Sequence, residues 1–479
     1  MNLNSKHMQI FKLQLHWQIL IALLLSIGYG IIFPTKYIVD QEAISQLQKT
    51  HLNMAGIEKV EELRGVEYHT MQDFQVAMKQ LLTSAEYDKY QSTIRKASYN
   101  NPQINAISWM GELFLRALKM LIIPLILSSL ISGITNIGTG KNLGRLGLKT
   151  MGYYVMTSIL AIVTGLFFVN LFKPGVGADL NFQETVEGLV EKQRSFRDIL
   201  IEIIPQNIFQ AFNESDMLSI IFFAVLFGFF ITKVDTVNRE LLKKAFNAIF
   251  EVMMKITMFI IKFTPLGIFG IVAKVIADQD DLAGLMSRMG IYMGTVVLAL
   301  TVHFLVTLPL LMRLLGKANP RKHFQNMTTP LLTAFSTSSS GATLPLTMDA
   351  VESKSGVSNK ISSFTLPLGA TINMDGTALY ECVAAIFIAQ AYGHDLSIIQ
   401  QAIIVATALL ASIGAAAIPM AGLVMITVIL SAVGLPLEGI GLILAVDRIL
   451  DMFRTATNVW SDSCGAVIIA KSEGEELQV

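Results

Sequence analysis

Between Ala445 and Asp462 the chain reads AVDRILDMFRTATNVWSD, a helical stretch largely of Ile, Leu, Met, Phe, Ala and Val that also holds six charged or amide side chains. Asp447, Asp451, Arg454, Asn458 and Asp462 follow one another at spacings that keep them within roughly 80° of arc on a helix. They form one polar stripe. A charge at mid-bilayer costs at least about 2.5–3.5 kcal/mol, so the stripe must face protein or a watery cavity. Its carboxylates outnumber the cations nearby, Arg454 and Arg448, which leaves negative charge for bound cations to balance.

The stripe matters because the rest of the chain is membrane-like. Of 479 residues, 53% are hydrophobic and 15% are charged, against about 25% charged in a soluble globule. The fold class this implies is an all-α polytopic membrane protein in a lipid bilayer. The 36 basic and 36 acidic residues cancel, so no bulk charge favours nucleic acid. Cys382 and Cys464 both lie in apolar segments, which argues against a disulfide framework or a zinc cluster. No His, Cys or Ser-plus-Lys constellation accompanies the acids, so enzymatic chemistry finds no support and no organic cofactor is implied.

In chain order, residues 1–35 read as a cytoplasmic N-terminus and first span, and 36–105 as a polar insertion on the far side. Residues 106–324 follow as a scaffold of spans. Lys141, Arg145 and Lys149 mark a cytoplasmic turn between the second and third spans, because basic loops stay inside. His303, alone in the sixth span, reads as an interior histidine with satisfied hydrogen bonds. From 325 to 479 the character changes to a core transport domain. Residues 325–351 read as a re-entrant hairpin with the serine run of TAFSTSSSGATLPLT at its tip. A broken span follows over 364–392, where Asn373, Asp375 and Gly376 interrupt apolar sequence. A second hairpin over 403–430 contains ASIGAAAIP, and the polar last span covers 441–471. Backbone broken at membrane depth is tolerated only against protein or a water-filled cavity. Paired interrupted segments point to a transporter site built from inverted repeats.

Hard cations take oxygen ligands. Asp375, Asp462, Asn373 and Asn458, with carbonyls near Gly369, supply that set. Arg454 can grip a carboxylate through both nitrogens while Asp451 takes an ammonium, so the pair suits an acidic amino acid.

With these residues in view, NMDGTALYE, the serine-rich tip before ATLPLT, ASIGAAAIP, DMFRTATNVWSD, KMLIIPL and GYYVMTS closely resemble the dicarboxylate/amino acid:cation symporter family. The likeness covers nearly all of the chain outside 36–105. It implies eight transmembrane spans plus two re-entrant hairpins, and a homotrimer in the cell membrane with both termini cytoplasmic. It further implies an elevator motion in which the third and sixth spans join the transport domain. By motif, Ser339, Ser340, Thr377, Asp451, Arg454, Thr455 and Asn458 would hold the substrate. One sodium site would use Gly369, Asn373, Asn458 and Asp462. A second would use Thr371 with Ser412, Ile413 and Ala415, and a third Tyr154, Thr157, Ser158, Asn373 and Asp375. Glu381 would carry a proton, as in animal members.

Three departures qualify the likeness. Ser338 stands where archaeal members have arginine, as in animal members, while Met452 replaces the compensating arginine of the animal last span, leaving Arg448 to fill part of that role. Ala417 and Met420 replace flexible glycines of the second hairpin. Glu381 replaces the glutamine of sodium-only archaeal members. The resulting expectation is sodium-coupled uptake of aspartate or glutamate, with proton co-transport as an added feature. The alternatives are a proton-driven C4-dicarboxylate symporter, which Asp451 disfavours by repelling a second carboxylate, and a transporter with substantial anion-channel activity.

Overall fold

A computed structural model describes residues 15–49, 54–136, 141–178, 201, 203–214, 216–414 and 421–479. Their contacts group into two compact units, one drawn from 1–116, 177–190 and 262–287, the other from 117–176, 191–261 and 288–479. Among the described residues four helices are long and apolar enough to cross a membrane: Pro102–Thr135, Arg145–Phe172, Leu282–Leu315 and Asn359–Ala391. The bent pair Thr236–Ile261 and Thr264–Ala277 makes a fifth candidate.

In the first unit, helix Leu15–Ile32 packs along Thr264–Ala277. A side chain on Gly30 would come within 2.7 Å of Ile276, so glycine is what permits the approach. The polar insertion folds on its own core. Strands β1 (Lys36–Ile38), β2 (Glu67–Tyr68) and β3 (Tyr99–Asn100) form an antiparallel sheet in the order β2-β1-β3. Tyr37 stacks on Phe74 at 5.4 Å beneath it, alongside buried Val39, Ile44, Leu47, Met78 and Ile94. Asp280 accepts the N–H groups of Met71 (3.0 Å) and Gln72 (3.1 Å), placing a carboxylate at the N-terminus of helix Met71–Leu81, where the helix dipole favours it.

The second unit carries the interrupted segments. Helix Thr328–Thr337 ends because Ser338 is left-handed, at φ +51°, and Ser339 then caps helix Ser340–Ser353 by accepting the Ala342 N–H at 3.2 Å. The serine run is therefore a helix-to-helix reversal. Helix Asn359–Ile372 stops at Asn373 and Met374, whose backbones leave the helical region, and Asp375–Ala391 starts afresh. The apolar part of this pair is wholly buried, so the break meets protein on all sides. Helices Ile398–Gly414 and Ala421–Ala432 form the arms over 403–430; the apex between them, with Ala415, Ala417 and Met420, lies outside the described residues. The last helix, Ile440–Ser472, carries the polar stripe through the middle of this unit.

Two expectations change. Lys141, Arg145 and Lys149 belong to the opening turns of helix Lys141–Phe172 and not to a loop; the acidic Glu473 lies 2.5 Å from Arg145 and 2.6 Å from Lys149. The sixth span is also irregular, because residues His303–Thr307 widen into a π turn between Leu282–Val302 and Leu308–Leu315. Pro309 lacks an N–H and its ring collides with the carbonyl four residues back, which a widened turn relieves.

Candidate functional site

The whole stripe of the last helix is buried: Asp447, Asp451, Arg454, Asn458 and Asp462 are each less than a tenth exposed. What they meet divides the site in two.

The first half gathers at the helix break. Asn373, freed from helical geometry, donates from Nδ2 to Asp462 Oδ1 at 2.9 Å and to the Ser461 hydroxyl at 3.0 Å. Its Oδ1 accepts from Thr157 at 3.3 Å. Asp375 opens the next helix and accepts from Ser158 (2.7 Å) and Ser461 (2.6 Å). Tyr154 donates to the Thr365 carbonyl at 2.7 Å. A side chain at Gly369 would strike Asp462 Oδ1 and the Tyr154 hydroxyl, so glycine lets this backbone stand against the acid. Carboxylate, amide and hydroxyl oxygens from three helices thus converge within a wholly buried region. The set suits a hard monovalent cation. Tyr154, Thr157, Ser158, Gly369, Asn373, Asp375 and Asp462 are brought together in this way.

Two members of this cluster escaped the sequence reading. Ser461 bridges Asn373 and Asp375, and its only sequence signal is adjacency to Asp462. His303 is interior and hydrogen-bonded, as expected, but the partner is a member of this cluster: its Nε2 is 3.2 Å from Asp375 Oδ2, with both side chains fully buried.

The second half surrounds Arg454. Its Nη2 donates to Asp451 Oδ1 at 2.7 Å, its Nη1 is 3.1 Å from Asp447 Oδ1, and its guanidinium lies 3.9 Å over the Tyr380 ring. Tyr380, also missed, donates its hydroxyl to Asp447 at 2.7 Å. Arg448 reaches Asp451 only at 3.9 Å. Gly422, on the second hairpin's far arm, comes so close that a Cβ there would sit 2.7 Å from Arg454 Nη1.

Asn458 joins the halves, accepting the Gly376 N–H at 2.8 Å and donating to the Thr377 hydroxyl at 3.2 Å. Thr455 and Ser340 are buried, and Ser339 is half-buried at the hairpin turn. Thr371 and Ser412 are not drawn into this network: each hydroxyl donates within its own helix, to Leu368 at 3.0 Å and to Leu409 at 2.8 Å. Ile413 lies in helix Ile398–Gly414, and Ala415 is outside the described residues. Glu381 is fully buried on helix Asp375–Ala391, and neither carboxyl oxygen has a hydrogen-bond partner among the described residues.

Comparison with known proteins places the chain in one family. The profile of the sodium:dicarboxylate symporter family matches residues 15–472. The chain is 37% identical over 420 residues to excitatory amino acid transporter 3 of Mus musculus, covering 77% of this chain and 79% of that protein. It is 36% identical over 385 residues to the proton/glutamate-aspartate symporter of Escherichia coli K12, covering 77% and 86%. Against the proton/sodium-glutamate symport protein of Bacillus caldotenax it is 36% identical over 387 residues, covering 79% and 90%.

Proposed function

Because the chain belongs to the sodium:dicarboxylate symporter family, a family of membrane transporters and not of enzymes, we propose that it is a secondary active symporter that takes up aspartate or glutamate with sodium. One observation carries the reading. Asp375 and Asp462 share a buried cluster of neutral oxygen donors, and neither has a Lys or Arg partner among the described residues. Carboxylates held that way are costly unless a cation completes them.

In this reading sodium is cargo and counter-charge together. Gly369, Asn373, Asn458 and Asp462 hold one ion, and Tyr154, Thr157, Ser158, Asn373 and Asp375 another. A further ion uses Thr371 with carbonyls of Ser412, Ile413 and Ala415. Ion binding at Asn373 fixes the helix break, and with it Thr377 and Asn458, which face the substrate. Arg454 takes the substrate's side-chain carboxylate in place of its contact with Asp447. Asp451 takes the ammonium, while Ser339, Ser340 and Thr455 complete the pocket at the first hairpin. The N-terminus of helix Ser340–Ser353 adds a favourable field for the main carboxylate.

Glu381 carries a proton in the same cycle, since a partnerless carboxyl in a dry interior is accommodated as the neutral acid. Eight spans and two hairpins, assembled as a homotrimer in the cell membrane with cytoplasmic termini, move the loaded site across by an elevator step. The empty acidic site resists that crossing, which couples the fluxes.

The test is uptake into proteoliposomes. Labelled aspartate or glutamate accumulates above its external concentration only with an inward sodium gradient. Equal accumulation in choline medium removes sodium from the mechanism.

A further inference from the structure

One buried hydroxyl of the last helix holds both sides of the helix break. Ser461 is wholly buried; it donates to Asp375 Oδ2 at 2.6 Å and accepts from Asn373 Nδ2 at 3.0 Å. Asn373 closes the helix before the break, and Asp375 opens the one after it. Other hydroxyls of the last helix behave differently. Thr457 and Ser463 turn back onto their own helix, to the carbonyls of Phe453 at 2.9 Å and Trp460 at 2.8 Å, the ordinary course for such side chains in a helix interior. Ser461 instead points out of its helix, and its backbone carbonyl is gripped from a third helix by the Tyr153 hydroxyl at 3.1 Å.

The directions of these bonds follow from the groups themselves. As a carboxylate Asp375 can only accept, so the serine proton goes to it and a serine lone pair must face a donor. Asn373 supplies that donor from the same nitrogen that reaches Asp462 Oδ1 at 2.9 Å. The amide oxygen is thereby turned to the Thr157 hydroxyl, 3.3 Å away. One run of hydrogen bonds thus leads from Asp462 through Asn373 and Ser461 to Asp375. We propose that Ser461 is a positioning residue that couples the two sodium sites built on these acids, by holding Asn373, which both of them share. A cation settling on either carboxylate fixes its end of the run, so the ordering of Asn373 is met once and the second cation binds more readily. The inference rests on the sodium-symport reading above and adds to it a residue that none of the three ion sites includes.

Equilibrium binding of labelled sodium to the purified full-length protein, without substrate, tests the coupling. The unmodified protein should give a curve steeper than independent sites allow. Ser461→Ala should flatten it towards independent sites and raise half-saturation by about tenfold or more, as loss of an orienting group does. Ser461→Thr, which keeps the hydroxyl, should restore much of both. Aspartate binding at saturating sodium should be little changed in either variant, which reports the fold and separates coupling from general damage. Should Ser461→Ala lose that binding, Ser461→Cys decides by the same two measures, since a thiol fills the space but donates weakly. A curve unchanged by the substitution, or a threonine no better than alanine, overturns the proposal, as does an unmodified curve no steeper than independent sites give. Failure of the transport reading shows separately, as sodium-independent uptake of aspartate by the unmodified protein.

Discussion

His303 Nε2 is within 3.2 Å of Asp375 Oδ2, and neither side chain is exposed. The contact depends on the π turn. Leu308 donates its N–H to the His303 carbonyl five residues back, which leaves the Phe304 carbonyl to accept the indole N–H of Trp460 at 3.0 Å. The sixth span is thereby pinned to the last helix while the imidazole reaches the acid. Groups that orient a metal-binding carboxylate commonly contribute about 10–100-fold in affinity. His303→Ala is therefore expected to raise the sodium concentration for half-maximal uptake by about that factor, with a smaller change in aspartate affinity at saturating sodium. His303→Gln, whose amide can reach the same place as Nε2, restores much of the loss. An unchanged sodium dependence in His303→Ala removes it from the site.

The stripe of the last helix was legible because 3.6-residue periodicity is a local signal, and five polar residues on one buried face admit few explanations. The hairpin reversal was legible too, since a serine run beside Gly341 between apolar stretches leaves little other role. His303 was not, because its partner is 72 residues away in sequence and the π turn that aims it has no marker beyond Pro309. Tyr380 carries no local signal of its role. Its stacking under Arg454 follows from helix packing, which spacing along one helix does not reveal. The basic turn at Lys141–Lys149 was misassigned because charge marks a membrane side and not a loop.

The C-terminal residues make a further contact that composition hides. Glu473 accepts from Arg145 and Lys149 at 2.5 and 2.6 Å, Glu475 accepts from the Ser358 N–H at 3.0 Å, and the Gln478 N–H reaches the Ser355 carbonyl at 3.0 Å. The hydrogen bond from Lys149, and then that from Arg145, hold the Glu473 carboxyl below its ordinary range. A lowered acid contributes stability above its unfolded pKa and loses it as pH falls through the folded value. Protection of the 473–479 amides, taken against their intrinsic exchange rates, should therefore stay high at neutral pH and fall on acidification below the ordinary carboxylate range. Glu473→Gln should exchange quickly already at neutral pH, with a global cost of no more than about 1 kcal/mol because the basic partners are solvated.

Glu381 offers a sharper pH test. Both of its oxygens are buried without hydrogen-bond partners among the described residues, so glutamine, which matches its shape and carries no charge, can occupy the site at little structural cost. Glu381→Gln is expected to retain sodium-dependent substrate exchange while losing the pH dependence of net uptake. A pH profile that still follows the unmodified protein assigns the proton to another group.

Arg454 decides the substrate class. It is paired with two acids and stacked on Tyr380, no other buried Lys or Arg is found among the described residues, and in the proposed function it takes the side-chain carboxylate of an acidic amino acid. Removing one member of a buried charge pair costs about 2–5 kcal/mol, tens- to thousands-fold in affinity. Arg454→Cys should weaken aspartate and glutamate by that amount. It leaves Asp451 able to hold an ammonium, so serine or alanine uptake should persist and remain sodium-dependent, because the cluster at Asp375 and Asp462 is untouched. Competition of neutral and acidic amino acids for labelled serine in this variant measures both effects at once. Undiminished aspartate competition would place the acidic group of the substrate elsewhere, and loss of all sodium-dependent uptake would mean that Arg454 also supports the fold of the site.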